Sequence, residues 1–171
     1  MNRLHADGYR EAVDFVQRHM SDDLLARVQC ADLLFGADPV FTGLYDYAWP
    51  TLPDAEVVAV TCWPWNGRDA VPTIVIPSLG RGWSADLPVV IAHEYGHVLH
   101  STLGFEPEAW AVSEMAKENH HEAFAEAFAC WLIGGYPFWT WHQYRYGPDE
   151  ATDALLWQLY STSGTAEPHY G

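Results

Sequence analysis

Two histidines and a glutamate occur at a spacing that suits a metal-binding helix. Residues 93–97 read His-Glu-Tyr-Gly-His, so His93 and His97 stand four positions apart. On an α-helix such side chains share one face, and two imidazole rings placed in this way can bind one zinc ion. Glu94 lies one step round the helix, from where its carboxylate can reach a metal-bound water as a general base. A catalytic zinc site needs one more protein ligand, and the five-residue pattern also arises by chance.

The third ligand must come from elsewhere in the chain. A third histidine at the metzincin spacing would fall at Leu103, and the glycine required at position 100 is His100, so that class is excluded. Glu122, on a later predicted helix, is the expected ligand. Glu126 shares the face of Glu122 and can accept the second ring N–H of a ligating histidine. Taken alone, the two glutamates favour an exposed acidic face on an amphipathic helix.

The combination of HEYGH with the later segment Glu122-Ala-Phe-Ala-Glu126 resembles the gluzincin metallopeptidases. The later segment is most similar to the third-ligand helix of the anthrax lethal factor-like peptidases, and the ImmA/IrrE group is a more distant likeness. The resemblance covers residues 87–133. It implies a zincin-like fold, a base at Glu94, a supporting role for Glu126, and zinc ligands at His93, His97 and Glu122.

The group that would stabilise the reaction intermediate stays open. Lethal factor-like peptidases have a tyrosine seven residues before the third ligand, and Met115 holds that position here. His100 lies on the ligand face of its helix, one turn beyond His97, and is an auxiliary candidate together with His121. The remaining candidates are one more histidine and three tyrosines of the C-terminal segment: His120, Tyr136, Tyr144 and Tyr146.

Hydrophobic spacing and turn residues predict the elements that position these side chains. They are a helical stretch over about Tyr9–Leu34 with a break or new cap at Ser21–Asp22, strands at Glu56–Cys62 and Thr73–Ile76, helices over Leu87–Leu103 and Ser113–Ile133, and a last helix near Asp149–Thr162. Prolines on both sides of Thr73–Ile76 favour an edge strand. Gly96, inside a helix, suggests close approach of another backbone, and Ala125 and Ala129 would permit close approach of the two helices.

Composition limits the classes of function. The chain has 171 residues, 49% hydrophobic, which fits one globular domain over residues 1–171. Its net charge of −15 disfavours a nucleic-acid partner, and no apolar run is long enough for a membrane partner. Residues 1–10 lack the apolar core of a signal peptide, so the expected location is cytoplasmic, with non-classical export left open. Three scattered cysteines form no metal knuckle or disulfide framework and suggest buried apolar residues.

Strands followed by helices predict an α+β fold: a single zincin-like domain with a small sheet and an active-site helix pair. The expected function is a zinc metallopeptidase that hydrolyses a peptide or protein substrate, with Zn²⁺ as cofactor. Two alternatives stay open. One is a zinc-binding but inert module with a binding, toxin-like or structural role, and the other is a regulatory protease that cuts a single partner.

Overall fold

The computed structural model describes residues 3–35, 59–63, 71–76, 87–103, 119–133 and 150–161. Within these ranges the fold is α+β, as predicted, with five helices and one three-stranded sheet. The elements are α1 (Arg3–Arg18), α2 (Asp22–Val28), β1 (Asp32–Phe35), β2 (Val60–Cys62), β3 (Thr73–Ile76), α3 (Leu87–Thr102), α4 (His120–Ile133) and α5 (Glu150–Ser161). Of these described helices, none has the length and apolar character that crossing a bilayer requires.

The N-terminal region forms two helices and a strand. Ser21 separates the helices as expected, because its hydroxyl accepts a hydrogen bond from the Leu24 backbone N–H at 3.3 Å and so caps α2. The prediction that helix continues to Leu34 is wrong, since Asp32–Phe35 is a strand. A short apolar run fits a strand or a helix equally well, and pairing with β3 decides between them here.

The sheet has the strand order β1-β3-β2. The β3 strand runs parallel to β1 and antiparallel to β2, with Thr61 opposite Ile74. Thr73–Ile76 is a strand as predicted, but the expectation of an edge strand is wrong, because β3 is central and all four of its residues are buried. An unbroken apolar run is typical of a strand covered on both faces. In the predicted strand Glu56–Cys62, the structure shows Val60–Cys62, and residues 56–58 lie outside the described residues.

The helices α3 and α4 pack closely against each other. The predicted α3 is confirmed. In the predicted helix Ser113–Ile133, the structure shows His120–Ile133, with the Asn119 side chain accepting the His121 backbone N–H at 3.1 Å, and residues 113–118 lie outside the described residues. A Cβ atom added to Gly96 would lie only 2.7 Å from the Cα of Ala125. The predicted close approach of the two backbones is therefore confirmed, and it explains why glycine is needed inside a helix.

The apolar faces of this helix pair form the centre of the core. Six apolar side chains of the two helices are buried, and Trp131 is partly buried against them: Ile91, Tyr95, Val98, Leu99, Phe124 and Phe128. The last helix is confirmed to within one residue at each end. Met115 and the three tyrosine candidates lie outside the described residues: Tyr136, Tyr144 and Tyr146.

Candidate metal centre

Two elements bring the predicted ligands together. The ring nitrogens of His93 and His97, one turn apart on α3, lie 3.1 Å from each other at their Nε2 atoms. Glu122, near the start of α4, faces both rings, with Oε2 at 3.1 Å from His93 Nε2 and Oε1 at 3.5 Å from His97 Nε2. Ligand atoms of the three residues all lie within 4.8 Å of one another. The structure therefore assembles the donor set that the sequence predicted.

The spacing of these atoms fits a metal ion. Donors at about 2.0–2.1 Å from a tetrahedral ion would be about 3.3–3.4 Å apart, close to the separations between Nε2 of His93, Nε2 of His97 and the Glu122 oxygens. An imidazole nitrogen carries at most one proton, yet His93 Nε2 faces a second ring nitrogen and a carboxylate oxygen together. A cation would satisfy all of these groups at once. Within the described residues, no other histidine, cysteine or acidic group of this kind is found.

The two acidic side chains of α4 are buried. Glu122 is 5% exposed and Glu126 is fully buried, so the alternative of an exposed acidic face on α4 is wrong. A buried carboxylate is unfavourable unless a positive charge or hydrogen bonds compensate for lost hydration. The burial of both glutamates beside two histidines therefore favours a bound cation.

Electrostatics around His93 agree with this assignment. Burial alone would lower the pKa of His93, but its hydrogen bond to Glu122 and the charges of three glutamates outweigh that effect and raise it: Glu94, Glu122 and Glu126. Burial would raise the pKa of Glu122, but hydrogen bonds to His93 and His97 lower it well below its usual range. The negative potential that favours a proton on His93 also favours a metal cation at the same place.

Glu94 is buried beside the donor set and is held by a residue that the sequence did not single out. The hydroxyl of Thr61, on β2, lies 2.5 Å from Glu94 Oε2 and 3.3 Å from the Glu94 backbone oxygen. Glu94 is 5% exposed, so this contact replaces part of the hydration that its carboxylate loses. No spacing rule links residues 61 and 94, because β2 meets α3 only in the folded chain. The β-strand pattern placed Thr61 on a strand but carried no signal of this contact.

Glu126 lies on the same side of α4 as Glu122, and its charge contributes to raising the pKa of His93. Its supporting role for His93 or His97 stays a prediction. The full burial of its carboxylate shows that it belongs to the interior between the helices.

The auxiliary histidines form a separate cluster one turn further along α3. His100 is buried and stacks on Phe124, with ring centroids 5.2 Å apart. Its Nδ1 atom lies 2.8 Å from Nδ1 of His121, which is exposed. His120 is also exposed and lies beside His121, with ring centroids 4.4 Å apart. The structure thus brings His100, His120 and His121 together.

The cysteines contribute no nucleophile to the described part of the site. Burial, followed by the charge of Glu94, raises the pKa of the Cys62 thiol to about 11. Burial, followed by the charge of Glu126, raises the pKa of Cys130 to about 12. Both therefore stay protonated at neutral pH and serve as buried apolar residues, as expected, whereas Cys30 is exposed, contrary to that expectation.

Comparisons with known proteins give no family assignment: no protein-family model matches the chain, and no match appears among curated proteins or solved structures.

Proposed function

We propose that this protein is a zinc-dependent metallopeptidase of the gluzincin type, with a zincin-like arrangement of its helix pair and sheet. The observation that carries the proposal is the cluster of buried His93 and Glu122 with half-buried His97, next to the buried Glu94. Two imidazoles and one carboxylate are the protein ligands that many catalytic zinc sites use. The substrate class is a peptide or protein.

Each residue has a distinct task in this proposal. The ligand set of His93, His97 and Glu122 holds the zinc ion, whose contribution when bound is Lewis acidity toward water and a carbonyl group. Glu94 accepts the proton of the attacking water as its oxygen bonds to the carbonyl carbon. When the carbon–nitrogen bond breaks, Glu94 passes that proton to the leaving amine. The reaction is hydrolysis, with no oxidant or further reactant.

Thr61 orients the base. Its hydroxyl donates a hydrogen bond to Oε2 of Glu94. A carboxylate fixed at one oxygen loses rotational freedom before the reaction begins, and this lowers the entropic part of the barrier. The proposal therefore adds β2 to the elements that build the active site.

The donor to the developing oxyanion comes from the remaining candidates. His100 and His121 direct their Nδ1 atoms at each other, which occupies one nitrogen of each ring. The tyrosine candidates Tyr136, Tyr144 and Tyr146 lie outside the described residues.

The proposal is tested by metal content and peptide cleavage measured on the same preparations. Elemental analysis of the wild type is expected to give about one zinc per chain, and His93→Ala is expected to lose it. Glu94→Gln should keep the zinc but cut a peptide library roughly a hundredfold to ten-thousandfold more slowly than the wild type. The amide keeps the shape of the carboxylate but cannot accept the proton.

Each result assigns the protein to a different class. Absence of zinc in the wild type after reloading would overturn the metal centre and the peptidase with it. Zinc without cleavage of the library would support an inert zinc-binding module or a protease restricted to one partner. Normal cleavage by Glu94→Gln would show that another group acts as the base.

A further inference from the structure

A second contact between α3 and α4 lies one helical turn beyond the metal ligand His97 and includes none of the three ligands. His100 is buried on α3 and stacks on Phe124, which fixes the plane of its ring. Its Nδ1 atom lies 2.8 Å from Nδ1 of His121 on α4. One ring donates and the other accepts, so this is a directional hydrogen bond between the two helices.

This hydrogen bond and the contact of Gly96 with Ala125 form two fixed points between the helices. His100 is four residues after Gly96, and His121 is four residues before Ala125, so the helices run in opposite directions here. The two points are about 6 Å apart along each helix, from a rise of about 1.5 Å per residue. On each helix a proposed metal ligand lies between the two points: His97 on α3 and Glu122 on α4.

The two contacts constrain different movements. The close backbone approach at Gly96 sets the distance between the helices. The directional hydrogen bond one turn away adds a constraint on their sliding and rotation. Because Glu122 follows His121 directly in the chain, its backbone is held where the His121 ring is held.

We propose that the hydrogen bond between His100 and His121 positions Glu122 against His97 and thereby sets the affinity and geometry of metal binding. The inference rests on the metal centre proposed above. In this role the two histidines act through Glu122 and are positioning residues. Groups that orient metal ligands typically change metal affinity by about 10-fold to 100-fold when removed.

The test compares three substitutions of His121 with one control. His121→Phe and His121→Ala remove the nitrogen with and without a ring of similar size. His121→Asn keeps a polar group near the place of Nδ1. His19→Phe removes an exposed histidine next to α1, remote in sequence from the helix pair, and controls for adventitious binding. Zinc affinity is measured by competition with a chromogenic chelator, and the absorption bands of bound Co²⁺ report the geometry of the site.

We expect both His121→Phe and His121→Ala to weaken zinc binding roughly tenfold or more and to change the absorption bands of bound Co²⁺. His121→Asn should stay within about threefold of the wild type, because its amide can restore the hydrogen bond. His19→Phe should match the wild type. Loss of the hydrogen bond to buried His100 should lower the thermal midpoint of the metal-free variants, so circular dichroism must show that they remain folded at the assay temperature, which separates positioning from loss of the fold.

Three results would overturn the proposal. Wild-type affinity and Co²⁺ bands in His121→Phe and His121→Ala would show that the hydrogen bond does not position Glu122. A second metal ion per chain, lost in both of these variants, would show that the two Nδ1 atoms bind metal instead of each other. If the wild type itself binds neither zinc nor Co²⁺, the metal centre fails, and that outcome is distinct from the other two.

Discussion

The N-terminal helix α1 and the pair α3–α4 differ in the solvent exposure of their charged side chains. On α1, a buried face of apolar residues includes Val13 and Val16, while Glu11 and Asp14 face the solvent. This is the ordinary pattern of a helix that covers a core. On α3 and α4, ionisable side chains are buried together with the apolar ones: His93, Glu94, His100, Glu122 and Glu126.

This difference distinguishes a helix that covers the core, α1, from the helices that form the candidate metal centre, α3 and α4. Charges on α1 keep their hydration, so their placement requires no compensating partner. Charges between α3 and α4 lose hydration, and their burial is tolerated only where hydrogen bonds or a cation restore that free energy. The contacts of Glu122 with His93 and His97, and of Glu94 with Thr61, provide part of this compensation. The bound metal proposed above would provide the rest.

The largest expected effect is on zinc affinity, when a proposed metal ligand loses its charge. Glu122→Gln keeps the shape of the side chain but removes its charge, whereas Glu11→Gln makes the same change on the exposed face of α1. If about 10–16 kcal/mol of zinc binding is shared by three ligands, losing one weakens binding by roughly a thousandfold. Glu11→Gln should leave zinc affinity unchanged. Competition with a chelator measures both, and equal affinities would contradict Glu122 as a ligand.

Two glycine substitutions, one on α3 and one on α1, should change the free energy of unfolding in opposite directions. In Gly96→Ala the new methyl group meets the backbone of Ala125 at 2.7 Å, so α3 and α4 must separate. The expected loss is about 1–3 kcal/mol in the free energy of unfolding, because crowding outweighs the better helix propensity of alanine. Gly8→Ala on α1 meets nothing within 4 Å and should stabilise the protein by up to about 1 kcal/mol.

Urea unfolding of the metal-free proteins measures the free energy of unfolding and shows whether each substitution lowers or raises it. Gly96→Ala should lower the free energy of unfolding, and Gly8→Ala should raise it. A neutral or stabilising Gly96→Ala would show that the helix pair can separate at no cost, and the close approach would then not be what fixes the ligands.

The smallest expected effect concerns the link between the sheet and the base. Thr61→Val keeps the shape of the side chain but cannot hydrogen-bond to Glu94, whereas Thr61→Ser keeps the hydroxyl. Peptide cleavage should fall about tenfold in Thr61→Val, equivalent to about 1.4 kcal/mol in the barrier, with zinc content unchanged. Thr61→Ser should retain most of the wild-type rate. Equal rates for valine and serine would indicate that the hydroxyl does not orient the base.

Several features of the fold follow from local pattern. The bounds of α3 and α5 follow from helical periodicity, and Ser21 acts as the predicted cap. The pattern failed where pairing with distant residues decided the outcome. Leu33 and Leu34 entered a strand, and Thr73–Ile76 became the centre of the sheet in place of its edge.

The sequence by itself determined that His93 and His97 share a helix face, because the geometry of an α-helix depends only on spacing along the chain. It also identified Glu122 and Glu94 by type and position. Only the tertiary structure decided that α3 and α4 meet through Gly96 and Ala125, that Thr61 holds Glu94, and that His100 bonds to His121. These contacts join residues that are distant in the chain, and such contacts depend on packing the whole core.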